Sequence, residues 1–479
     1  MINKLYDDKM AAWLEQNREK ILQMWMELIR IPSVHSAAEP KAPFGPNCAR
    51  ALKASCEYLQ SLDIPVTHNE DDGYAFADYG DGSHTIGLFA HSDVVPVGDG
   101  WLYTTPFEPV IRDGLMIGRG SSDNKNGIIA SWCILAMLQA CGIPVKNRIR
   151  VVVGSNEESG MKDIEAYVRN ETMPDLCLVP DTGFPCALGE KGILRLWAKC
   201  NRPLTAVRSM KGGDAFNVVL DRVDTVLEPN EALAQELQQR CAQDNRVALT
   251  IAPDGAICLH ATGIAKHAAA PAGSLCATWL TAQLLASCKA LPAEDRQILS
   301  AVAQYLHDSH GEALGVVHVD SRFGSLTCAN GMVDLEDGHL KVSLDIRYGT
   351  QQAPDELEQK LHRAWNNVDF QIVYMDNRPG YTTAPDSPVP AALTAVAEEL
   401  SGHSLTCSLM QGGTYGRYLK NAFPVGTSIR HADREKSALI MPEGHGGAHQ
   451  MDEAVDIESF LLGIRILAHY VLTCDDLLG

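Results

Sequence analysis

The sequence predicts an α/β fold in which a domain with a mostly parallel sheet is interrupted by an inserted α+β domain. Two observations predict it. In the first part of the chain, short apolar runs typical of buried strands alternate with helical segments. In the middle, shorter strand-like runs of antiparallel character take over. Apolar strands that alternate with helices are typical of a parallel sheet covered on both faces.

The first part of the chain carries helices and strands in alternation. Helical patterns cover Ala11–Ile29, Asn47–Leu62 and Asn124–Cys141, and the strand-like runs are Thr85–Ala90, Arg148–Gly154 and Leu176–Val179. Proline or glycine follows two of these helices, at Pro32 and Gly142. This order predicts strand–helix–strand units within one sheet.

The central part of the chain has the pattern of an α+β domain rather than that of alternating strands and helices. It contains the strand-like segments Gly192–Cys200, Val247–His260 and Leu340–Tyr348, the helical segment Leu275–Leu291, and a hairpin over Met332–Arg347 with its turn at Glu336-Asp337-Gly338. We therefore predict three stretches: residues 1–192 and 386–479 form the α/β domain, and residues 193–385 form the insert.

Composition excludes several classes of protein. The chain has 479 residues, 46% of them hydrophobic, and a formal net charge of −20, which disfavours nucleic acid and anionic membrane surfaces as partners. Its 14 cysteines contain no C-x-x-C pair, so we expect free thiols. No apolar signal-peptide core follows Met1, and the apolar run Ile128–Leu138 is too short to span a bilayer, so we expect a cytoplasmic protein.

Polar residues cluster where the predicted strands end. His91 and Asp93 follow the first strand, Glu157 and Glu158 the second, and Asp181 the third, while Asp123 directly precedes a helix. Chemistry in open α/β sheets lies beyond the carboxyl ends of the strands. Five carboxylates and one imidazole at one edge repel unless cations compensate them. Nitrogen and oxygen ligands without thiolate suit zinc, manganese or cobalt.

Each of these residues has a simpler explanation by itself. A histidine near an aspartate is usually a hydrogen-bonded pair, and adjacent glutamates usually lie in solvent. Asp123 has the position of a helix N-cap, and Asp181 that of a turn residue. Only their conjunction at several strand ends of one domain favours a site.

These motifs resemble those of the dinuclear metallopeptidases related to aminoacylase, bacterial glutamate carboxypeptidase and carnosinase, and among them most closely the long-chain bacterial dipeptidases of the dipeptidase V type. The matching segments extend over nearly the whole chain. They are His91–Pro96, Gly118–Gly127, Asn156–Gly160, Pro180-Asp181, Gly263–Pro271, Gly412–Arg417 and His449–Glu453.

The resemblance implies a catalytic domain that holds two divalent metal ions, zinc first and manganese or cobalt as alternatives. It implies that Asp123 bridges the metals, that His91 and Asp181 bind one and that Glu158 and His449 bind the other. Glu157 is implied as the general base for a bridging hydroxide, and Asp93 as the residue that orients His91. The nearby His445 has no counterpart in the family, so His449 is preferred.

The resemblance also assigns residues to the substrate. The insert corresponds to a lid domain, in which His267 polarises the scissile carbonyl and Asn217 is a second oxyanion contact. Arg347 is implied to hold the substrate carboxylate, although a salt bridge at a strand edge explains it nearly as well. Gly413 and Thr414, in the C-terminal glycine-rich motif, are implied to contact substrate.

The implied reaction is metal-dependent hydrolysis of the amide bond of a dipeptide or short peptide. Deacylation of N-acyl amino acids, carboxypeptidase activity and a catalytically silent binding protein remain as alternatives. The sequence departs from the family at Asn124 and Asn126, where Asp and Gly are usual. In the family, the peptide bond between the residues at positions 123 and 124 is often cis. Short members of the family dimerise through a lid of about half this size, so the resemblance implies that this long insert belongs to a catalytically complete monomer, with a small peptide as its partner.

Overall fold

The chain forms two compact units in the computed structural model, which describes residues 2–384, 386–429 and 441–479. Unit 1 comprises Met1–Gly189, Thr383–Ser408 and Thr414–Gly479, and unit 2 comprises Glu190–Thr382 and Leu409–Gly413. The sequence did not assign the short return segment Leu409–Gly413 to the insert. Pro385, which the sequence analysis placed at the end of the insert, lies outside the described residues.

Ten α-helices lie in the described part of the chain, together with a 3-10 helix at Tyr415–Tyr418. The α-helices are α1 (Lys4–Ile29), α2 (Pro46–Gln60), α3 (Lys125–Ala140), α4 (Lys162–Asn170), α5 (Glu231–Cys241), α6 (Ala277–Ala286), α7 (Ala293–Tyr305), α8 (Pro354–Asn367), α9 (Val389–Ser401) and α10 (Ile457–Leu478).

The strands are numbered along the chain in the same way. They are β1 (Val66–Asn69), β2 (Tyr74–Tyr79), β3 (Thr85–His91), β4 (Val110–Arg112), β5 (Leu115–Ile117), β6 (Arg148–Gly154), β7 (Leu176–Thr182), β8 (Ala187–Glu190), β9 (Gly192–Cys200), β10 (Val207–Lys211), β11 (Arg222–Leu227), β12 (Val247–Ile251), β13 (Ile257–Thr262), β14 (Val319–Asp320), β15 (Gly324–Ser325), β16 (Thr327–Ala329), β17 (Val333–Glu336), β18 (His339–Tyr348), β19 (Phe370–Arg378), β20 (Tyr381–Thr382), β21 (Ser408–Met410), β22 (Ala422–Gly426) and β23 (Ala454–Asp456).

Unit 1 is built on a six-stranded sheet in the order β1-β2-β6-β3-β7-β22. Strand β3 runs parallel to both β6 and β7, and β22 runs parallel to β7. Strand β2 pairs antiparallel with β6, and β1 with β2, so the antiparallel part lies at one edge. The predicted mostly parallel sheet is confirmed, and it places three strand ends on one side.

Helices cover both faces of this sheet. Buried residues of α1, α2, α3, α9 and α10 form one large apolar core with the sheet. A smaller core on other sheet residues contains Phe76, Phe89 and Tyr167 together with residues of α4 and the 3-10 helix. Helix α10 is long and apolar enough to cross a membrane by length and composition, but 72% of that apolar window is buried inside the molecule. It therefore packs as a core helix of unit 1.

Unit 2 is an α+β unit with two larger antiparallel sheets and the two-stranded antiparallel sheet β14-β15. One has the order β10-β11-β13-β12, and the other has the order β16-β18-β9-β19 with β17 paired to β18. Helices α5 to α8 contribute to a single apolar core with these sheets. The inserted α+β character is thus as predicted.

Local chemistry explains where the elements differ from prediction. Helix α1 starts at Lys4 rather than Ala11, because the Asn3 side chain accepts hydrogen bonds from the backbone N–H groups of Leu5 and Tyr6. The segment Val247–His260 is not one strand, since it forms the hairpin β12–β13. The predicted turn at the β17–β18 hairpin is present, with φ of 52° at Asp337 and 80° at Gly338.

Candidate metal centre

Three parallel neighbouring strands end at the same edge of the unit 1 sheet. His91 ends β3 in register with Gly154 of β6, so Glu157 and Glu158 follow β6 just beyond this edge. Asp181 lies near the end of β7, the other neighbour of β3. Parallel pairing therefore brings together ligands that are distant in sequence.

Asp123 lies between two histidines. Its Oδ1 is 3.1 Å from His91 Nε2, and its Oδ2 is 3.0 Å from His449 Nε2. The second histidine is also 3.2 Å from Glu158 Oε2. One carboxylate that offers a separate oxygen to each of two groups has the geometry of a bridging ligand.

The remaining acidic residues complete two overlapping groups of potential ligands. His91, Asp123 and Glu158 form one group, and His91, Glu157 and Asp181 form the other, with ligand atoms within 4.8 Å of one another in each. Asp181 Oδ2 is 3.8 Å from His91 Nε2. The structure thus gathers all five predicted metal ligands and Glu157 in unit 1.

Asp93 organises both strand ends. The Nδ1 atom of His91 lies 3.0 Å from the Asp93 carbonyl oxygen and 3.4 Å from its Oδ1, which leaves Nε2 directed at the other carboxylates. The same carboxylate accepts hydrogen bonds from the backbone N–H groups of Glu157 and Glu158. It is 1% exposed and so holds the histidine and the two glutamates in one arrangement.

Asn124, a departure from the family pattern, has a clear task. The Asp123–Asn124 peptide bond is cis. The Asn124 side chain accepts from the backbone N–H of His91 and donates to Asp181 Oδ1 and the Pro180 carbonyl. An amide can donate and accept at once, so it fixes a ligand-bearing segment on either side.

A buried ion pair supports the loop before Asp123. Glu453 accepts hydrogen bonds from the backbone N–H groups of Gly120, Ser122 and Asp123, and from Arg119 Nη1 at 2.7 Å. Both charged side chains are at most 1% exposed. Sequence reasoning named the motifs that contain these residues but gave them no role, because their partners are far apart in the chain.

A second buried carboxylate holds the loop after β6. Asp163 accepts from the backbone N–H groups of Ser155 and Asn156 and from the Tyr415 hydroxyl. A Cβ at Gly154 would lie 2.0 Å from that hydroxyl oxygen and 2.3 Å from Asp163 Oδ2. Glycine is therefore required there for the close approach, and no sequence signal pointed to it.

The choice between the two C-terminal histidines is visible in the geometry. His449 has φ of +64°, a left-handed conformation that is uncommon for a residue with a side chain, and its ring reaches Asp123 and Glu158. His445 lies 2.6 Å from Asp452 through Nδ1. The structure thus brings His449, rather than His445, to the cluster.

Without bound cations, burial and the neighbouring carboxylates raise the pKa values of three carboxyl groups in this cluster. Burial, together with the Asp123 carboxylate, raises the pKa of Glu158 to about 7 and that of Asp181 to about 6. Burial raises the pKa of Glu157 well above its usual range. Burial alone would lower the pKa of His449, but its hydrogen bonds to Asp123 and Glu158 outweigh this and raise it to about 11.

The donor set fits divalent cations. Glu157 Oε1 and Glu158 Oε1 are buried, and within the described part of the chain neither oxygen has a hydrogen-bond partner. Buried carboxylate oxygens are costly unless something positive or protic satisfies them. His91, His449 and the four carboxylates supply nitrogen and oxygen atoms without thiolate, which suits zinc, manganese or cobalt.

Two residues predicted to contact substrate lie together in unit 2. The backbone N–H of Ala268 donates to the Asn217 carbonyl, which brings the segments of Asn217 and His267 side by side. The exposed His267 ring accepts at Nδ1 from the Ala269 N–H at 3.1 Å. Its neutral form therefore carries the proton on Nε2 and presents a donor to its surroundings.

Arg347 is 3% exposed on the interior strand β18 of unit 2. Its Nε and Nη2 donate to Asp345 at 2.5 and 3.1 Å, and its Nη1 donates to the Gln411 carbonyl at 3.4 Å. This is a fork-like salt bridge on an interior strand, whereas the alternative considered from sequence was a salt bridge at a strand edge. The role of Arg347 toward substrate stays a prediction.

The last two residues predicted to contact substrate, Gly413 and Thr414, belong to different units. Gly413 ends the return segment of unit 2, whereas Thr414 belongs to unit 1. Thr414 is 1% exposed, and its hydroxyl caps the 3-10 helix by accepting from the Gly416 N–H. That cap places Tyr415 where it reaches Asp163.

Comparison with known proteins identifies the family. The model of peptidase family M20/M25/M40 matches residues 87–473. The YtjP protein of Bacillus subtilis (strain 168), provisionally named a dipeptidase, is 26% identical over 468 residues, which cover 95% of this chain and 97% of that protein. The MW1694 protein of Staphylococcus aureus (strain MW2), named likewise, is 27% identical over 88% of this chain and 92% of its own length.

Solved structures share the fold. Human carnosine dipeptidase 1 superposes with a TM-score of 0.62 at 14% identity, covering 98% of this chain and 99% of its own. The di-peptidase Dug1p of Saccharomyces cerevisiae gives 0.59 at 13% identity, with 98% of each chain covered. The chain is therefore a peptidase that belongs to peptidase family M20/M25/M40.

Proposed function

We propose that this protein is a dipeptidase that uses two divalent metal ions, zinc first, to hydrolyse the amide bond of dipeptides. The observation that carries the proposal is the position of Asp123, whose two oxygens lie 3.1 and 3.0 Å from His91 and His449. His91 and Asp181 would hold one ion, Glu158 and His449 the other, and Asp123 both. The names of the relatives support a dipeptide substrate.

The metal ions and the chain have separate tasks. When bound, such ions supply Lewis acidity, which polarises a peptide carbonyl and makes water a stronger acid. Glu157, with one oxygen unpartnered among the described residues and a pKa raised by burial, would take the proton from the attacking water. It would then return that proton to the departing amine nitrogen.

Residues of unit 2 are proposed to act on the substrate. The Nε2–H of His267 would donate to the carbonyl oxygen as negative charge develops, and Asn217 would add a second polar contact. Arg347 would offer the second hydrogen of Nη1 to the substrate carboxylate, because Asp345 engages Nε and Nη2 and the Gln411 carbonyl accepts the other Nη1 hydrogen.

Hydrolysis of a dipeptide panel by chelator-stripped protein, with and without added zinc, manganese or cobalt, tests the proposal. We expect metal-dependent release of free amino acids from dipeptides while N-acyl amino acids stay intact. The variant Glu158→Gln tests the ligand assignment in the same assay. It replaces the ligand carboxylate with an amide, so it should bind less metal and lose turnover.

Other outcomes would change the proposal in defined ways. Cleavage restricted to N-acyl amino acids would make the protein a deacylase, and cleavage of longer peptides from the carboxyl end would make it a carboxypeptidase. Two bound metals with no cleavage of any substrate would favour a binding protein.

A further inference from the structure

The candidate is a pair of cysteines in unit 1, of which Cys186 follows the proposed metal ligand Asp181 by five residues and Cys407 is distant in sequence. Cys186 Sγ and Cys407 Sγ lie 3.5 Å apart, and both thiols are free. The backbone N–H of Ser408 donates to the Cys186 carbonyl, so the two cysteines lie on adjacent extended segments. We propose that Cys186 and Cys407 form a reversible thiol–disulfide site that reacts with low-molecular-weight disulfides such as oxidised glutathione.

The two thiols have different surroundings. Cys186 is 0% exposed, whereas Cys407 is partly exposed. The hydrogen bond shared with the Cys186 sulfur lowers the pKa of Cys407 to about 6, against the opposing effect of burial. The Thr394 hydroxyl oxygen is 3.4 Å from the Cys407 sulfur. Cys407 therefore has the thiolate character and access of an attacking thiol, and Cys186 the position of a resolving one.

Other cysteines of the chain lack this arrangement. The Cys48 and Cys276 sulfurs donate to the oxygens of Ser33 and Asn330, and burial raises the pKa of Cys48 to about 12. Cys241 is partly exposed like Cys407, but burial raises its pKa as well. A reactive thiol next to a second thiol distinguishes Cys407 from each of these.

The reaction balances without any further reagent. The Cys407 thiolate attacks one sulfur of the small disulfide, which breaks its S–S bond and releases one thiolate. The Cys186 sulfur then attacks the Cys407 sulfur and releases the second thiolate, which takes the Cys186 proton as it departs. The protein loses two electrons as two thiols become one disulfide, and the small disulfide gains them as two thiols.

The two cysteines lie close to the two points at which the chain leaves unit 1. Cys186 lies shortly before Gly189 and Cys407 directly before Ser408, the residues at which the chain leaves unit 1. A disulfide here would join the two segments that lead into unit 2. A disulfide requires the two sulfurs, now 3.5 Å apart, to approach to about 2.05 Å.

The test treats the reduced full-length protein with oxidised glutathione under native conditions, blocks the remaining thiols and maps peptides by mass spectrometry. We expect a linked peptide pair containing Cys186 and Cys407, with a loss of two free thiols per chain that dithiothreitol reverses. Cys186→Ser should retain one glutathione on Cys407, because no resolving thiol remains. Cys241→Ser, the matched control, should react as the wild type does.

Two results would overturn the proposal. One is wild-type protein in which other cysteines take up glutathione while the Cys186–Cys407 peptide pair stays unlinked. The other is Cys407→Ser losing two thiols as fast as the wild type. The linked peptide is read in wild-type protein, so the first result does not depend on how any variant folds.

Discussion

Asp123 presents a different oxygen to each of two histidines, and this single residue defines the centre of the site. His91 is 1% exposed and fixed by Asp93 from behind, whereas the His449 side chain is 43% exposed. One side of the cluster is therefore rigid and enclosed, and the other is open. An open side is where a substrate can reach a metal centre.

Replacement of Glu157 tests its assignment as the general base. Glu157→Gln retains the shape but cannot take a proton, so we expect kcat to fall by about 10²–10⁴-fold while both metals stay bound. Metal content by elemental analysis is the accompanying measurement. Loss of one ion would instead make Glu157 a metal ligand, as its place in the group with His91 and Asp181 allows.

Replacement of His267 tests the proposed donor to the carbonyl oxygen. Because Nδ1 accepts from the Ala269 N–H, His267→Ala removes a preset Nε2–H donor, and we expect kcat to fall about 10²–10³-fold. His260→Ala is the matched control, since His260 is an exposed histidine of the same unit that contacts Asp224. Equal kinetics for the two variants would remove His267 from the mechanism.

At the scale of elements, loops beyond the strand ends carry the ligands, and buried polar residues hold those loops. Asp163 binds the segment after β6, Glu453 the segment before α3, and Asn124 links the ends of β3 and β7. Backbone N–H groups at loop ends need acceptors when buried. These carboxylates supply them and position the neighbouring ligands in the same step.

Glu453 offers the clearest test of such support. In Glu453→Gln the amide replaces one acceptor oxygen with a donor, facing three backbone N–H groups and Arg119. Leaving a buried guanidinium unpaired costs about 3–5 kcal/mol, so we expect that loss in the free energy of unfolding, together with weaker metal binding. Denaturant titration and calorimetric metal titration measure the two effects.

The control for this variant is an exposed ion pair of the same unit. Glu458, whose side chain is 72% exposed, contacts Arg18, and exposed pairs contribute about 0–1 kcal/mol. Glu458→Gln should therefore unfold nearly as the wild type does. If Glu453→Gln matched it, the buried pair would have no structural importance.

At the scale of the whole molecule, metal binding and stability are linked. In chelator-stripped protein, the pKa values of Glu158 and Asp181 are raised to about 7 and 6, and that of His449 to about 11. A group whose folded pKa is raised stabilises the fold below its unfolded pKa, and this stability is lost as pH rises through the folded pKa. All three shifts thus have the same sign.

We therefore expect the thermal midpoint of metal-free protein to fall as pH rises from about 6 to 8. Metal-loaded protein should have a higher midpoint, since a ligand that binds only the folded state stabilises it. Calorimetry of both forms across this pH range is the measurement. A midpoint of the stripped protein that rises with pH would contradict the sign.

The assembly state is a separate prediction. Unit 2 contains two larger antiparallel sheets, and from the length of the insert we expect one chain to carry a complete site. Size-exclusion chromatography with light scattering, followed by assay of each peak, measures this directly. Activity confined to a dimer peak, with an inactive monomer, would show that a second chain completes the site.

Local sequence patterns were enough to predict the α/β class, the inserted α+β unit, the family resemblance and the list of potential ligands. These depend on local patterns: apolar runs, helix caps, a two-residue hairpin turn and acidic residues directly after strands. Such signals lie within a few neighbouring residues, so they can be recognised without knowledge of the tertiary structure. The same reasoning located six residues that the structure gathers in one cluster.

The surroundings of these residues depend on contacts between distant parts of the chain. The supports Arg119–Glu453 and Asp163–Tyr415 join positions more than 250 residues apart, and the thiols of Cys186 and Cys407 are 221 positions apart. Pairing at this distance depends on strand order and core packing, which no local pattern encodes.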